Sequence, residues 1–96
     1  MQSLNNLLLV CYSFKRGKYD VEEFQSRILT AAIPDNLSKS YMDKLIDFDN
    51  QMEEILFCKV PLSRKEYADK VADELIQTTL AEQSRLNQIR NNKTGV

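Results

Sequence analysis

Six acidic side chains stand close together near the middle of the sequence and are the first residues that could do chemistry. The segment 35–58 holds two basic residues and these six acids: Asp35, Asp43, Asp47, Asp49, Glu53 and Glu54. Carboxylates can bind a divalent cation or act as the acid and base of a hydrolase. They can also form a charged surface for a basic partner.

The segment Asp47-Phe48-Asp49-Asn50 is similar to the start of a calcium-binding loop, in which oxygen ligands alternate along the chain. Such a loop needs a glycine at its sharp turn, and this segment has none. The segment also lies inside a helical pattern, where successive side chains diverge. We therefore expect no calcium site. No polar cleft is indicated that would suit a catalytic pair of carboxylates.

Other catalytic groups are scarce. The chain has no histidine, which removes the commonest general base and the commonest transition-metal ligand. Its two glycines, Gly17 and Gly95, cannot build a phosphate-binding loop. We therefore predict that the protein is not an enzyme and that it takes no metal, no other cofactor and no small-molecule substrate.

The two cysteines, Cys11 and Cys58, each lie in a hydrophobic stretch. Two cysteines do not suggest a disulfide scaffold, and free cysteine is among the most often buried residue types. We predict two buried free thiols, which suits a reducing cytoplasm. The most apolar run, Leu7 to Cys11, is far shorter than the roughly 20 residues of a membrane span. We therefore expect a cytoplasmic protein without a membrane partner.

Four amphipathic segments would have to position these side chains. The chain has 96 residues, 43% of them hydrophobic, with only two glycines and two prolines, and this composition favours one folded domain of long helices. Apolar residues recur at helical spacing in four segments, and the predicted helices cover residues 3–16, 20–32, 37–58 and 63–90. Such helices with short connectors form an antiparallel bundle. We predict an all-α fold, a single domain over residues 1–96, and a disordered tail at 91–96.

Several residues mark the ends of these helices. Ser3 can cap the first helix, and Gly17 suits the left-handed position after its end. Asp20 can cap the second helix. Residues 63–66 have the form of a capping box at the start of the fourth, with Leu62 placed in a hydrophobic staple.

The third predicted helix is much more acidic than the whole chain, whose formal charge is −1. Like charges four residues apart on a helix cost about 0.2–0.5 kcal/mol per pair, so helix stability alone would favour alternating signs. We interpret this helix as a surface for a basic protein partner. The predicted partner-binding residues are Asp43, Asp47, Asp49, Asn50, Glu53 and Glu54. The alternative is a solvated face, neutralised in part by basic groups of the first or fourth helix.

Three stretches of the sequence have a suggestive layout. They are the short start Leu4-Asn5-Asn6-Leu7-Leu8, the helix opening Tyr19-Asp20-Val21-Glu22-Glu23-Phe24, and the acidic helix from Asp47 to Glu54. This layout, over about residues 3–80, resembles that of the small helical immunity proteins of bacterial toxin–immunity systems. The resemblance implies a cytoplasmic inhibitor that binds a secreted toxin, such as a basic nuclease, and covers its active surface or a nearby exosite. It also implies that the third helix mimics the charge of the toxin's polyanionic substrate.

Two other functions remain as alternatives. The C-terminal half of the fourth helix, about Ala81 to Arg90, has few large apolar residues. It either frays or overhangs the bundle, and an overhang would suit a helical adaptor or regulatory protein that self-associates. Lys59, Arg64, Lys65 and Lys70 could bind nucleic acid, but acidic neighbours dilute them and the chain has no basic excess. We therefore expect no nucleic-acid partner, and the oligomeric state stays open.

Overall fold

Four helices joined by short connectors make up the fold. The computed structural model describes the backbone of residues 4–94 and the side chains of residues 4–88. The helices are α1 (Asn5–Lys15), α2 (Val21–Thr30), α3 (Lys39–Cys58) and α4 (Pro61–Thr94). The described backbone contains no strand, and the predicted all-α bundle is confirmed.

Successive helices run antiparallel. The start of α1 lies beside the C-terminal half of α4, where the Leu4 N–H donates to Gln83 Oε1 at 3.0 Å. The end of α1 lies beside the first half of α4, where Lys15 pairs with Asp73 at 2.6 Å. Helix α2 packs on both α1 and α3, and α3 shares its most extensive contact surface with α4. The chain therefore runs up, down, up and down around one core.

A column of three phenylalanine rings forms the centre of that core. Phe24 of α2 stacks on Phe14 of α1 with ring centroids 4.2 Å apart. Phe24 also forms an edge-to-face pair with Phe48 of α3, with centroids 5.5 Å apart and ring planes at 82°. The ammonium group of Lys65, from α4, lies 4.5 Å from the centroid of the Phe14 ring. The column joins all four helices, and aromatic pairs of this geometry contribute about 0.5–1.5 kcal/mol each beyond the burial of their area.

Gly17 ends α1 in the left-handed conformation that the sequence predicts. Its φ is 87°. Its N–H donates to the Phe14 carbonyl at 2.9 Å, and the N–H of Lys18 donates to the Ser13 carbonyl at 3.0 Å. This pair of bonds is a Schellman motif, which satisfies two carbonyl groups at the helix end. The tight turn lets α2 begin at Val21.

The N-termini of α1, α2 and α3 differ in how they are capped. Asp20 caps α2, since its Oδ1 accepts from the N–H of Glu23 at 2.7 Å. At the start of α3, Ser38 Oγ accepts from the N–H of Tyr41 at 3.1 Å. Ser3 lies outside the described residues, and α1 begins without a side-chain cap hydrogen bond. The helix bounds lie within four residues of the predicted ones.

The predicted start of α4 is wrong. The helix begins at Pro61, two residues before the expected capping box. Proline at the first helical position loses nothing by lacking an N–H, because that group has no partner there anyway. The N–H of Ser63 donates to the Val60 carbonyl at 2.9 Å as part of the first turn. Leu62 is 97% exposed, so it forms no staple.

Helix α4 also extends past its predicted end at residue 90. Its backbone is helical to Thr94, so residues 91–94 of the predicted disordered tail belong to the helix, and residues 95 and 96 lie outside the described part. The sequence has no glycine or proline between Pro61 and Gly95 that would stop the helix. No helix among the described residues is long and apolar enough to cross a membrane.

Two polar contacts fix α3 against α4. The hydroxyl oxygens of Tyr41 and Thr79 are 2.7 Å apart in the core, and burial raises the pKa of Tyr41 to about 12. At the start of α3, the buried carboxylate of Glu82 accepts from the Ser38 N–H at 2.7 Å and from its hydroxyl at 3.0 Å. Arg85 donates to the same carboxylate at 2.9 Å. The C-terminal half of α4 therefore packs on the bundle at least as far as Arg85 and does not overhang there.

The two cysteines differ in exposure. Cys11 is fully buried and Cys58 is exposed, so the predicted burial is confirmed for Cys11 and wrong for Cys58. Cys58 is the last residue of α3, and successive helix positions point about 100° apart, so hydrophobic neighbours in the sequence do not ensure burial. Burial raises the pKa of the Cys11 thiol to about 12.

Replacing Gly17 with alanine should lower the free energy of unfolding by about 1 kcal/mol, since a Cβ is disfavoured in the left-handed region. An added Cβ would meet no atom within 4 Å. The loss of stability would therefore measure the cost of the left-handed backbone conformation alone. Urea denaturation of Gly17→Ala beside Lys18→Ala, an exposed neighbour, would measure it. Equal stability of the two variants would contradict the role given to this turn.

Glu82 should carry pH-dependent stability. Its hydrogen bonds from Arg85 and Ser38 lower its pKa to about 2. A carboxylate whose folded pKa lies below its unfolded value of about 4.3 stabilises the fold above that value. The contribution is lost as the pH falls through the folded pKa.

We therefore expect Glu82→Gln to lower the free energy of unfolding at neutral pH by about 2 kcal/mol. The difference in the free energy of unfolding between the variant and the unmodified protein should narrow between about pH 4 and pH 2. Chemical denaturation across this range would measure it, with the exposed Glu66→Gln as the matched control. A difference in free energy that stays constant down to pH 2 would refute the pH dependence assigned to Glu82.

Candidate partner-binding face

The six predicted residues of α3 divide into two sets. Asp43, Asp47, Asn50 and Glu54 are all exposed and recur three or four residues apart, so they follow one side of the helix. We call this set the acidic stripe. Asp49 and Glu53 lie on the neighbouring edge, where both contact α2.

A glutamine of α2 holds Asp49 and Glu53 together. Gln25 is buried, and its Nε2 donates to Asp49 Oδ1 at 2.9 Å and to Glu53 Oε1 at 3.0 Å. Both hydrogens of one amide are used on two carboxylates. The contact offsets part of the repulsion between like charges one turn apart. It also fixes the outer edge of α2 against α3.

No basic side chain described by the structure pairs with these acids. The ion pairs among residues 4–88 are Lys15–Asp73, Arg27–Glu23, Lys65–Asp69 and Arg85–Glu82. Asp47 accepts from Gln51 of its own helix at 2.8 Å. Each carboxylate has about four acceptor positions, so the acids of α3 keep positions for donors outside this chain. No direct ion pair from α1 or α4 to these acids is found among the described side chains.

Exposed apolar side chains adjoin Asp49 and Glu53. Ile46 lies about one helical turn before Asp49 and is 60% exposed, whereas Phe57 lies one turn after Glu53 and is 81% exposed. On α2, Leu29 lies one turn after Gln25 and is 58% exposed. Polar and apolar groups therefore alternate where α2 meets α3. We call this set the mixed face: Gln25, Leu29, Ile46, Asp49, Glu53 and Phe57.

A groove of about 610 Å³ opens at the Phe57 end of the mixed face. Its lining residues are Glu22, Gln25, Glu53, Leu56, Phe57 and Arg64. Arg64 is occupied within the fold, since it donates to the carbonyls of Leu56 at 2.7 Å and Lys59 at 3.3 Å. Two apolar side chains, Leu56 and Phe57, line the groove together with the carboxylates of Glu22 and Glu53, and this combination suits an apolar side chain that adjoins a positive charge.

The cations considered for nucleic-acid binding are spread around the start of α4 and form contacts within the fold. The ammonium groups of Lys59 and Lys70 lie 4.5 Å and 5.8 Å from the ring centroid of Tyr67. Lys65 forms an ion pair within α4, and Arg64 binds the end of α3. Each of the four cations therefore contacts another group of the fold.

Sequence reasoning missed Gln25 and the exposed apolar residues. Gln25 lies one turn after Val21 and directly after Phe24, and a polar residue at this position beside apolar ones was the available signal in the sequence. Ile46 and Phe57 lie off the buried side of α3, which carries Tyr41, Phe48, Met52 and Ile55. Large apolar residues off a core stripe indicate an interaction surface when they adjoin one another in the fold.

Among the described side chains, no group of three or more Asp, Glu, Cys or His residues could hold a metal ion. The arrangement can instead accept hydrogen bonds from basic groups and bury apolar ones. Comparison of the chain with protein-family models, with curated proteins and with solved structures gives no match.

Replacing Gln25 with methionine, which has a similar shape but no donor, should lower the free energy of unfolding by about 1–3 kcal/mol. The variant leaves Asp49 and Glu53 one turn apart without their shared donor. Gln51→Met is the matched control, because Gln51 bonds only within α3 at the surface, and it should change stability by less than about 0.5 kcal/mol. Thermal and urea denaturation would compare them, and equal effects would argue against the bridge.

Proposed function

We propose that this chain is a protein-binding inhibitor of the immunity type. It neutralises a cognate bacterial toxin, such as a nuclease, by covering a basic surface of the toxin with α3 and the adjoining edge of α2. In this proposal the protein is cytoplasmic and acts without catalysis. The observation that carries the proposal is the mixed face, where carboxylates without basic partners stand beside exposed apolar side chains.

The two sets of acids would have different tasks. The acidic stripe lies in solvent, where charges raise the association rate by steering a basic partner and lose effect as salt is added. Asp49 and Glu53 are already held by Gln25, so a basic group of the partner would meet two carboxylates in fixed positions. Preorganisation of this kind lowers the entropic cost of binding and slows dissociation.

The apolar members of the mixed face favour binding over simple solvation. A face that only needs to be hydrated gains nothing from Ile46, Leu29 and Phe57, since water solvates apolar surface poorly. Energetic anchors of protein interfaces are commonly large side chains that become fully buried on binding. Phe57, at the rim of the groove, is the side chain placed to serve as that anchor.

The test begins with capture of a partner from the lysate and culture fractions of the source organism, followed by binding kinetics and toxin activity with the purified pair. The stripe variant carries Asp43→Asn, Asp47→Asn and Glu54→Gln. It should associate about tenfold more slowly, with a weaker dependence on salt. The face variant carries Asp49→Asn and Glu53→Gln, and it should dissociate about tenfold to a thousandfold faster.

The double variant Glu66→Gln and Glu74→Gln removes the same charge as the face variant from exposed positions of α4, and its kinetics should stay close to those of the unmodified protein. Inhibition of the toxin should fall in parallel with affinity. If both acidic variants bind and inhibit like the control, the acids of α3 are a solvated surface and the proposal fails. A captured partner without toxic activity would reject the immunity function while leaving the interface in place.

Self-association through α4 is a second proposal, favoured by the length of that helix. Helix α4 has 34 residues and α3 has 20, so α4 is longer than the helices that it packs against. The described contacts hold it to the bundle as far as Arg85, so the segment in question is the part beyond that residue. Sedimentation of the full chain and of a chain ending at Leu86 would show whether a dimer exists and depends on this segment.

A further inference from the structure

One outer side of α3 has the residue spacing by which helices pack on each other. Met42, Ile46, Asp49, Glu53 and Phe57 follow one another at steps of three or four residues, so they lie along one side of the helix. The buried side of α3 uses the same spacing to pack on the bundle. We call the five outer residues the second seam. It is about 22 Å long, because a helix rises about 1.5 Å per residue.

The second seam has apolar ends and an acidic middle. Met42 and Ile46 at one end are 39% and 60% exposed, and Phe57 at the other end is 81% exposed. Asp49 and Glu53 lie between them and form no ion pair with a described side chain. Apolar and acidic groups therefore follow one another in a fixed order along one line of the helix.

Helix α2 forms a wall beside the second seam. Glu22, Gln25 and Leu29 recur three and four residues apart on α2, and the Gln25 amide binds Asp49 and Glu53 across the contact between the two helices. Two packed helices leave a shallow depression along their line of contact, and a third helix can lie in it. Helices bound in this way are held by anchors that recur at steps of three and four residues, which is the spacing of the second seam.

The middle of this surface is acidic. Glu22 lines the same groove as Glu53, and Asp49 lies one turn from Glu53. Three carboxylates therefore border the path that a third helix would take. A helix with positive charge in its middle is the complement of this arrangement.

The cations of α2, α3 and the groove do not pair with these three acids. Arg27 pairs with Glu23 on the other side of α2, and Lys44 lines a cavity between α3 and α4. Lys39 lies on the first turn of α3, more than two turns before the acids. Arg64 lines the groove, but it donates to backbone carbonyls at the end of α3.

A second copy of this chain does not complement the second seam. A symmetric contact places the same surface on both partners, so Asp49 and Glu53 would face the same acids of the other copy. Like charges that face each other across an interface are unfavourable. An anionic bilayer would repel these carboxylates in the same way. The charge therefore favours a basic segment of a different protein.

We propose that the second seam receives a basic amphipathic helix of the partner protein. Apolar residues at the two ends of that helix pack on Met42, Ile46 and Phe57. Two basic residues between them, one turn apart, bind Asp49 and Glu53. A helix of about 16 residues spans the seam. The inference rests on the proposed function only in taking the occupant to be part of a protein, and it adds which element that protein presents.

A designed peptide tests the second seam directly. The basic peptide has leucine at the positions that correspond to Met42, Ile46 and Phe57, arginine at those of Asp49 and Glu53, and alanine and glutamine elsewhere, which favour a helix. The acidic peptide has glutamate in place of the arginines. Fluorescence anisotropy of the labelled peptides should show saturable binding of the basic peptide. The acidic peptide should bind at least about tenfold more weakly.

Protein variants locate the contact. Asp49→Asn with Glu53→Gln, and Ile46→Ser with Phe57→Ser, should each weaken binding of the basic peptide at least about tenfold, since one removes the charges and the other the apolar anchors. Leu9→Ser, at a position of α1 that is 61% exposed, should leave binding unchanged. Circular dichroism would check that each variant stays folded.

Reversal of the charges separates recognition from a structural role. Asp49→Lys with Glu53→Lys should bind the acidic peptide in preference to the basic one, because the complementary charges have been exchanged. A variant that had only lost structure would bind neither peptide. The double variant Glu66→Gln and Glu74→Gln, at exposed positions of α4, should bind the basic peptide like the unmodified protein.

The inference is overturned if the basic peptide binds no better than the acidic one, or if the variants of the second seam bind it as Leu9→Ser does. Amide chemical shifts of the protein should change along α2 and α3 when the basic peptide is added. Changes confined to α1 and α4 would also overturn the inference.

Its failure can be distinguished from failure of the proposed function. A captured toxin whose binding depends on Asp49 and Glu53, together with a basic peptide that does not bind, would refute the helix and leave the inhibitor. A basic peptide that binds at the second seam, together with a captured partner that has no toxic activity, would keep the helix site and reject the immunity function.

Discussion

Phe24 is the side chain on which the arrangement of the helices depends. It is fully buried, stacks on Phe14 and forms an edge-to-face pair with Phe48, so α1 and α3 must both approach the short helix α2. A helix of ten residues is marginal by itself in water. Its stability therefore comes from this tertiary contact. Because α2 is held inward by Phe24, its outer edge is fixed in place and Gln25 is presented to α3.

The inner and outer sides of α3 serve different purposes. The inner side carries the large core residues and the hydroxyl of Tyr41, which meets Thr79 in the interior. The Glu82 contact at its first turn sets the register of α3 on α4. Together these contacts hold α3 to the bundle, and they do not involve the acids of the acidic stripe. The outer side of α3 can therefore carry like charges one turn apart, although their repulsion destabilises an isolated helix.

The sequence predicted the helices and their turns better than the contacts between helices. Helical spacing identified the four helices, and Gly17 marked the turn that ends α1, because both depend on neighbours within one or two turns. The start of α4 was assigned to the wrong residue since a capping box and an N-terminal proline compete within three positions, and only the tertiary setting decides between them. Cys58 was misjudged because hydrophobic neighbours in sequence say little about direction around a helix.

The candidate site shows the same limit. Clustering of acids along α3 was visible in the sequence, but its division into a solvated stripe and a pair bridged by Gln25 was not. That division depends on which edge of α3 faces α2, and a contact between residues 24 or 28 positions apart leaves no local pattern. Likewise, the exposure of Phe57 and Ile46 follows from the position of the core, which one helix alone does not define.

The contrast between the two cysteines gives the chain a pair of built-in chemical reporters. Cys58, exposed at the end of α3, should react with a maleimide in the folded protein and could carry a fluorophore or spin label at the turn between α3 and α4. Cys11 is inaccessible, and its raised pKa keeps the thiolate scarce. It is alkylated only when the core opens. The labelling rate of Cys58 would report the exposure of its thiol, and the labelling rate of Cys11 would report how fast the core opens. Neither measurement needs a substitution in the chain.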